Sequence, residues 1–188
     1  MKRLTKIVLT TIAVVGVART ASAVTVECMD FESFPAGGVY VVGNNYSYND
    51  IFGEFTGFMW PDGTWDTGGQ ATVVTTNMAN GSGQEVNLNN INLRYVFQGD
   101  QPIIAVFRYA DSGGNVNLGI NGFLNNTNDL SDLNGMVVDG VGIVVTRQDD
   151  PGPAVRHRGI VTLAGPIERF AVGGQEFWVD DVCAVFAY

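Results

Sequence analysis

Phe177-Trp178-Val179-Asp180-Asp181-Val182-Cys183, near the end of this 188-residue chain, and Cys28-Met29-Asp30-Phe31-Glu32, near its start, decide how the chain is read. They hold the only two cysteines, and each cysteine sits in an acidic, aromatic stretch. Two cysteines at opposite ends most simply join the first and last strands. Bridging Cys28 and Cys183 would remove about 5 kcal/mol of unfolded-chain entropy by loop closure. The reading is a closed β-sandwich whose termini lie side by side, with the acidic residues of the two ends meeting at the seam.

Alternation orients the last strand. Trp178, Asp180, Val182, Ala184 and Phe186 would share one face, and Phe177, Val179, Asp181, Cys183 and Val185 the other. Both faces are mostly apolar, which reads as a central, buried strand. Two adjacent carboxylates there need a cation, an arginine or backbone donors.

The rest of the chain agrees with an all-β domain. No segment after residue 24 carries apolar residues at helical spacing over three turns, and 23 glycines and 16 asparagines punctuate it. Short β-branched and aromatic runs recur instead: Val24–Phe31, Val39–Val42, Gly53–Met59, Ala71–Thr75, Ile91–Phe97, Ile103–Tyr109, Val116–Ile120, Met136–Val145, Val155–Leu163, Arg169–Val172 and Glu176–Phe186. Gly173-Gly174 is expected to join the last two as a tight hairpin. Residues 77–92, rich in Asn and Gly, are expected to form a long exposed loop.

Residues 1–23 read as a secretory signal peptide. Lys2, Arg3 and Lys6 form a basic start, residues 7–18 an apolar stretch, and Ala21-Ser22-Ala23 a cleavage site. The apolar stretch is too short to remain as a permanent membrane span. Residues 24–188 would then be one domain, carrying six arginines, no lysine and 19 acidic residues, a net charge of −13. Such a surface repels nucleic acid and anionic lipid. Export favours the disulfide over free thiols; a zinc site is disfavoured, because His157 is the one other soft ligand.

Asp30, Glu32, Asp180 and Asp181 are candidate calcium ligands, since calcium takes six to eight hard oxygens. The alternative is a solvated acidic edge, or pairing with Arg169 or Arg94. Phe31-Glu32 and the final Phe177-Trp178-Val179-Asp180-Asp181-Val182 resemble the two ends of bacterial jelly-roll carbohydrate-binding modules. That resemblance implies a jelly-roll type sandwich with paired N- and C-terminal strands. It also implies a structural calcium held by an early acidic residue and an aspartate of the last strand. Through Gly113-Gly114-Asn115-Val116-Asn117-Leu118 and Gly173-Gly174-Gln175-Glu176-Phe177-Trp178, the chain is also similar to a set of exported bacterial proteins of no known function.

Trp60 and Trp65 flank the turn Pro61-Asp62-Gly63. Exposed tryptophans stack on sugar rings and Asp side chains bond sugar hydroxyls, so Trp60, Asp62 and Trp65 are candidate glycan contacts. Tyr46 and Tyr48, in a polar-aromatic loop with Asn44, Asn45 and Asn49, are a second set. The opposing reading is that these rings cover the sandwich edge. Arg156-His157-Arg158 reads as a local salt-bridge network with Asp149 and Asp150.

Catalytic patterns are thin. A serine triad would have to use His157, and no G-x-S-x-G precedes it. Glu27 points away from Asp30 and Glu32, so these do not form a glycosidase pair. Residues 130–141 imitate an EF-hand loop but start on Leu130 and end on Val141. The expectation is therefore a secreted, non-catalytic binding module for extracellular glycan, stabilised by calcium. The alternatives are a self-associating extracellular matrix or fibre subunit, a glycan hydrolase or lyase, and a small outer-membrane β-barrel ending in Phe186-Ala187-Tyr188.

Overall fold

The structure is a computed structural model. It describes residues 23–149 and 154–187; the signal-peptide reading of residues 1–22, Asp150 and the terminal Tyr188 lie outside them. In chain order the strands are β1 (Val24–Met29), β2 (Val39–Val41), β3 (Asn45–Tyr48), β4 (Ile51–Met59), β5 (Trp65–Asp66), β6 (Gln70–Val74), β7 (Glu85–Asn89) and β8 (Ile91–Phe97). There follow β9 (Ile104–Asp111), β10 (Val116–Ile120), β11 (Phe123–Thr127), β12 (Val137–Val138), β13 (Val141–Asp149), β14 (His157–Ala164), β15 (Arg169–Gly174) and β16 (Phe177–Ala187). A short 3₁₀ turn, Leu130–Leu133, is capped by Asp129.

These strands form two antiparallel sheets. One has nine strands, ordered β12-β13-β14-β9-β16-β7-β6-β2 with β1 also on β16; the other has seven, ordered β11-β10-β15-β8-β4-β3 with β5 on β4. The chain is thus an all-β sandwich. Both sheets keep open edges and their apolar side chains point between them, the opposite of a membrane barrel's outward apolar face. Among the described residues no helix is long and apolar enough to cross a membrane.

Alternation builds the interior. Along β8, Ile91, Leu93, Tyr95 and Phe97 face in while Asn92, Arg94 and Val96 face out, and β4, β10 and β15 follow suit. Phe170 of the smaller sheet stacks on Phe107 of the larger at 5.6 Å and on Tyr95 at 4.6 Å, and Tyr109 stacks on Phe177 at 5.7 Å. Each fully buried ring contributes roughly 1.5–3 kcal/mol by leaving water.

The terminal strands pair as expected. β1 lies antiparallel to β16 with Cys28 opposite Cys183, and the two are disulfide-bonded. β16 is central: β9 lies along one edge, β7 and then β1 along the other.

The strict alternation read for β16 does not hold. The register shifts between Asp180 and Cys183, and Asp181 has φ +47°. This is a β-bulge. Phe177 and Val179 face the core before it, Val182, Ala184 and Phe186 after it. The bulge falls where β16 changes partner from β7 to β1.

Gly173-Gly174 is not a hairpin either. β15 belongs to the smaller sheet and β16 to the larger, so Gln175-Glu176 crosses between them. The glycines serve close approach: a Cβ on Gly173 would lie 2.2 Å from the Ile91 carbonyl, and one on Gly174 2.6 Å from Phe177 Cβ. The proposed loop 77–92 is in part β7 and β8. Its first part is fastened by Glu85, fully buried, which accepts from Thr76 Oγ1 and from the amides of Met78 and Ala79. Ala79 thereby joins Ala110 and Val155 in a small second cluster, against which Met78 and Trp178 pack.

Candidate functional site

The outer face of the smaller sheet carries a cavity of about 380 Å³. Its floor is made of small residues: Gly119 of β10 lies opposite Ala171 of β15, and Ala171 lies opposite Arg94 of β8. A Cβ on Gly119 would stand only 3.1 Å from Leu124 and 3.4 Å from Ala171 Cβ, so the glycine keeps the floor low.

Two hairpins place aromatic rings on its sides. At one end Asn121-Gly122, with φ +50° and +101°, makes the two-residue turn that an Asn-Gly pair favours and presents Phe123 at 59% exposure. At the other end β5 returns along β4 and presents Trp65, also 59% exposed, with its ring edge over Gly57. β10, β15 and β8 lie between, so β11 and β4 are roughly 19 Å apart at normal strand spacing. Thr56, Asn92, Asn121, Arg94 and Arg169 supply the polar part of the lining, which contains no carboxylate. Arg94 pairs with Glu54, its opposite number on the neighbouring β4, while its Nε is buried without a partner. Among the described residues nothing pairs with the Arg169 guanidinium.

The five aromatic-loop candidates separate. Trp60 and Trp65 do flank a turn, in which the Trp60 carbonyl accepts from the Gly63 amide at 2.9 Å. Asp62 Oδ1 accepts from the Thr64 amide and hydroxyl at 2.9 and 2.7 Å, which holds its carboxyl below the usual range. Trp60 is half-buried, edge-on to the buried Phe58 at 5.2 Å, and does not line the cavity. Trp65 does. Tyr46 and Tyr48 lie on β3, not in a loop, and both pack against the core. Tyr46 lies over Gly53, and burial pushes its hydroxyl pKa well up.

The seam carboxylates do meet, but around a loop rather than around one point. Glu32 accepts from the Gln84 amide in a very short contact. Asp180 Oδ1 accepts from the Asp181 amide at 2.7 Å, and its Oδ2 lies 2.0 Å from where a Cβ on Gly81 would stand. Residues 81–84 therefore run between the two carboxylates, and Gly81 and Gly83 are required there because any side chain would collide with them. Asp181 pairs with Arg108 at 3.1 Å and accepts from Ser82 Oγ; Asp30 caps the Glu32 amide. Among the described residues, no three or more His, Cys, Asp or Glu side chains gather as a metal-binding group. Asp180 is 2% exposed, and its pKa is pushed up to about 7 by burial first and by the charges of Asp181 and Glu85 next.

A local network does form at His157, with Asp149 in it as the sequence suggests; Asp150 lies outside the described residues. Arg147 bridges Asp129 and Asp149 at 2.6 and 2.7 Å, and His157 lies 3.4 and 3.0 Å from the same two carboxylates.

Phe123, Arg94, Arg169, Asn121 and Gly119 were not candidates in the sequence. The Asn121-Gly122 pair announces a hairpin, and Arg94 breaks an apolar run at outward-facing spacing, so two of the signals were present. No family model matches the chain, and no curated protein or solved structure is similar to it.

Proposed function

We infer that this chain is an exported, non-catalytic module that binds extracellular glycan along the outer face of the smaller sheet. The observation that carries the reading is the pair Trp65 and Phe123, both largely exposed on the sides of one cavity whose floor is Gly119 and Ala171. Two exposed rings flanking one groove offer flat apolar faces for a ligand to stack on. The apolar C–H faces of a sugar suit them, and Thr56 can bond its hydroxyls. The open length favours an oligosaccharide over a single ring. Export is supported by the basic and apolar start of the sequence and by the disulfide.

Calcium belongs to the same reading as a stabiliser at the seam. Its support is the buried Asp180 beside Asp181 and Glu85, an excess of negative charge that a divalent ion would relieve. The self-associating alternative draws on the edge strand β2, where Val39 and Val41 are exposed. Retention on a series of immobilised polysaccharides tests the glycan reading. Wild type should be retarded on at least one of them, and Trp65→Ala and Phe123→Ala should each elute earlier. Sedimentation as large oligomers, with no retardation, would favour the matrix subunit instead.

A further inference from the structure

We propose that the saccharide held in this groove is anionic, its carboxylate or sulfate group taken by Arg169 with Arg94 beside it. This rests on the glycan reading above and narrows it to a substrate class.

The charge distribution carries the argument. Residues 24–188 hold only six arginines and no lysine against 19 acidic residues, yet two of the six arginines line this one cavity, with no carboxylate in the lining. The two stand on the same face of the sheet. Arg94 is opposite Ala171, and Arg169 is two residues from Ala171 on the same strand, so the two are diagonal neighbours. At that spacing one anionic substituent, or two on adjacent sugars, can reach both.

Arg94 is partly neutralised by Glu54 but keeps a buried Nε with no acceptor. Arg169 is exposed, and its Nη2 lies 3.0 Å from where a Cβ on Gly122 would stand. Glycine at the turn thus leaves the guanidinium room beside Phe123. A planar guanidinium presents parallel N–H donors that match a carboxylate or sulfate bidentately. Asn121 Oδ1 accepts from the amides of Glu168 and Arg169 at 2.9 and 3.4 Å, which fixes the start of β15 under the arginine. Residues 24–188, with a net charge of −13, repel polyanions at long range. Retention of an anionic sugar would therefore report this local site and not general attraction.

Calorimetric titration at about 0.15 M salt tests it with three probes. These are a galacturonate oligosaccharide, its neutral galactose counterpart, and a sulfated galactose oligosaccharide. At least one anionic probe should bind about tenfold tighter than the neutral one, and the two anionic arms show whether carboxylate or sulfate is preferred. Arg169→Gln should reduce the anionic probe to the neutral level without changing the melting temperature. Arg169→Lys should recover only part of the preference, because it restores charge and not the fork. Equal binding of neutral and anionic probes, lost in Trp65→Ala and untouched in Arg169→Gln, overturns this inference and leaves the glycan reading standing. Anionic binding that survives Arg169→Gln overturns it as well. No binding of any probe overturns both.

Discussion

Asp180 should make the protein less stable as pH rises through neutrality. Its carboxyl is 2% exposed and its pKa in the fold is pushed up to about 7, against an ordinary 3.8. Between about pH 4 and pH 7 the folded protein holds a proton that the unfolded chain has released. The unfolded state then binds fewer protons, so stability falls with rising pH across that window and is level above and below it. The distance from 3.8 to about 7, at about 1.36 kcal/mol per pH unit, sets a ceiling of about 4 kcal/mol. Urea unfolding in chelator at pH 5, 6, 7 and 8, on wild type and Asp180→Asn, isolates the effect. The amide keeps the oxygen that accepts from the Asp181 N–H and removes the charge. The wild-type advantage over the variant should shrink from pH 5 to about pH 7 and level off by pH 8. Adding calcium at pH 8 should restore wild-type stability, by about 2.7 kcal/mol at 100 times its dissociation constant, and should do nothing for the variant. Parallel wild-type and variant curves would refute the reasoning: Asp180 would then be ionised in the fold across this range.

Reduction of the Cys28–Cys183 bridge, 155 residues apart, should cost about 5 kcal/mol of loop-closure entropy in the unfolded chain, read from denaturant midpoints with and without reductant. Trp65→Ala should leave the melting temperature nearly unchanged and weaken glycan retention, whereas Trp60→Ala should lower stability by about 1–3 kcal/mol through its packing on Phe58, with retention kept. Gln84 donates from one amide to the carbonyls of Phe31, Glu32 and Phe34 at 3.1–3.2 Å. Gln84→Ala should cost about 2–3 kcal/mol in the same unfolding experiment, and a neutral result would mean that water replaces the amide there.

The fold was legible at its ends and least legible where strands change partner. Two cysteines and the apolar runs around them located the seam, because a covalent link between distant residues leaves few topologies. The alternation rule then failed at Asp180-Asp181. A bulge adds one residue and reverses every face beyond it, and two adjacent carboxylates in an apolar strand were its only trace. Gly173-Gly174 misled for a related reason. Glycine serves both turns and close backbone approach, and sequence does not say which; here the Ile91 carbonyl and the Phe177 side chain occupy the space a Cβ would need. Trp65 was legible as an exposed ring beside a turn. Its partners were not, since Arg94, Gly119, Phe123 and Arg169 come from strands that meet only through the order of the sheet.

Gly119→Leu tests the central claim most directly, because it fills the floor of the groove and leaves Trp65, Phe123 and both arginines in place. Gly119 has no strained backbone angle, and the atom nearest to an added Cβ is the mobile end of Leu124. On a glycan array run beside wild type, the account predicts binding by wild type and its loss in Gly119→Leu at an unchanged melting temperature. Equal binding by the two proteins would place the ligand elsewhere on the molecule, and the absence of any bound saccharide on the wild-type array would contradict the glycan-binding assignment itself.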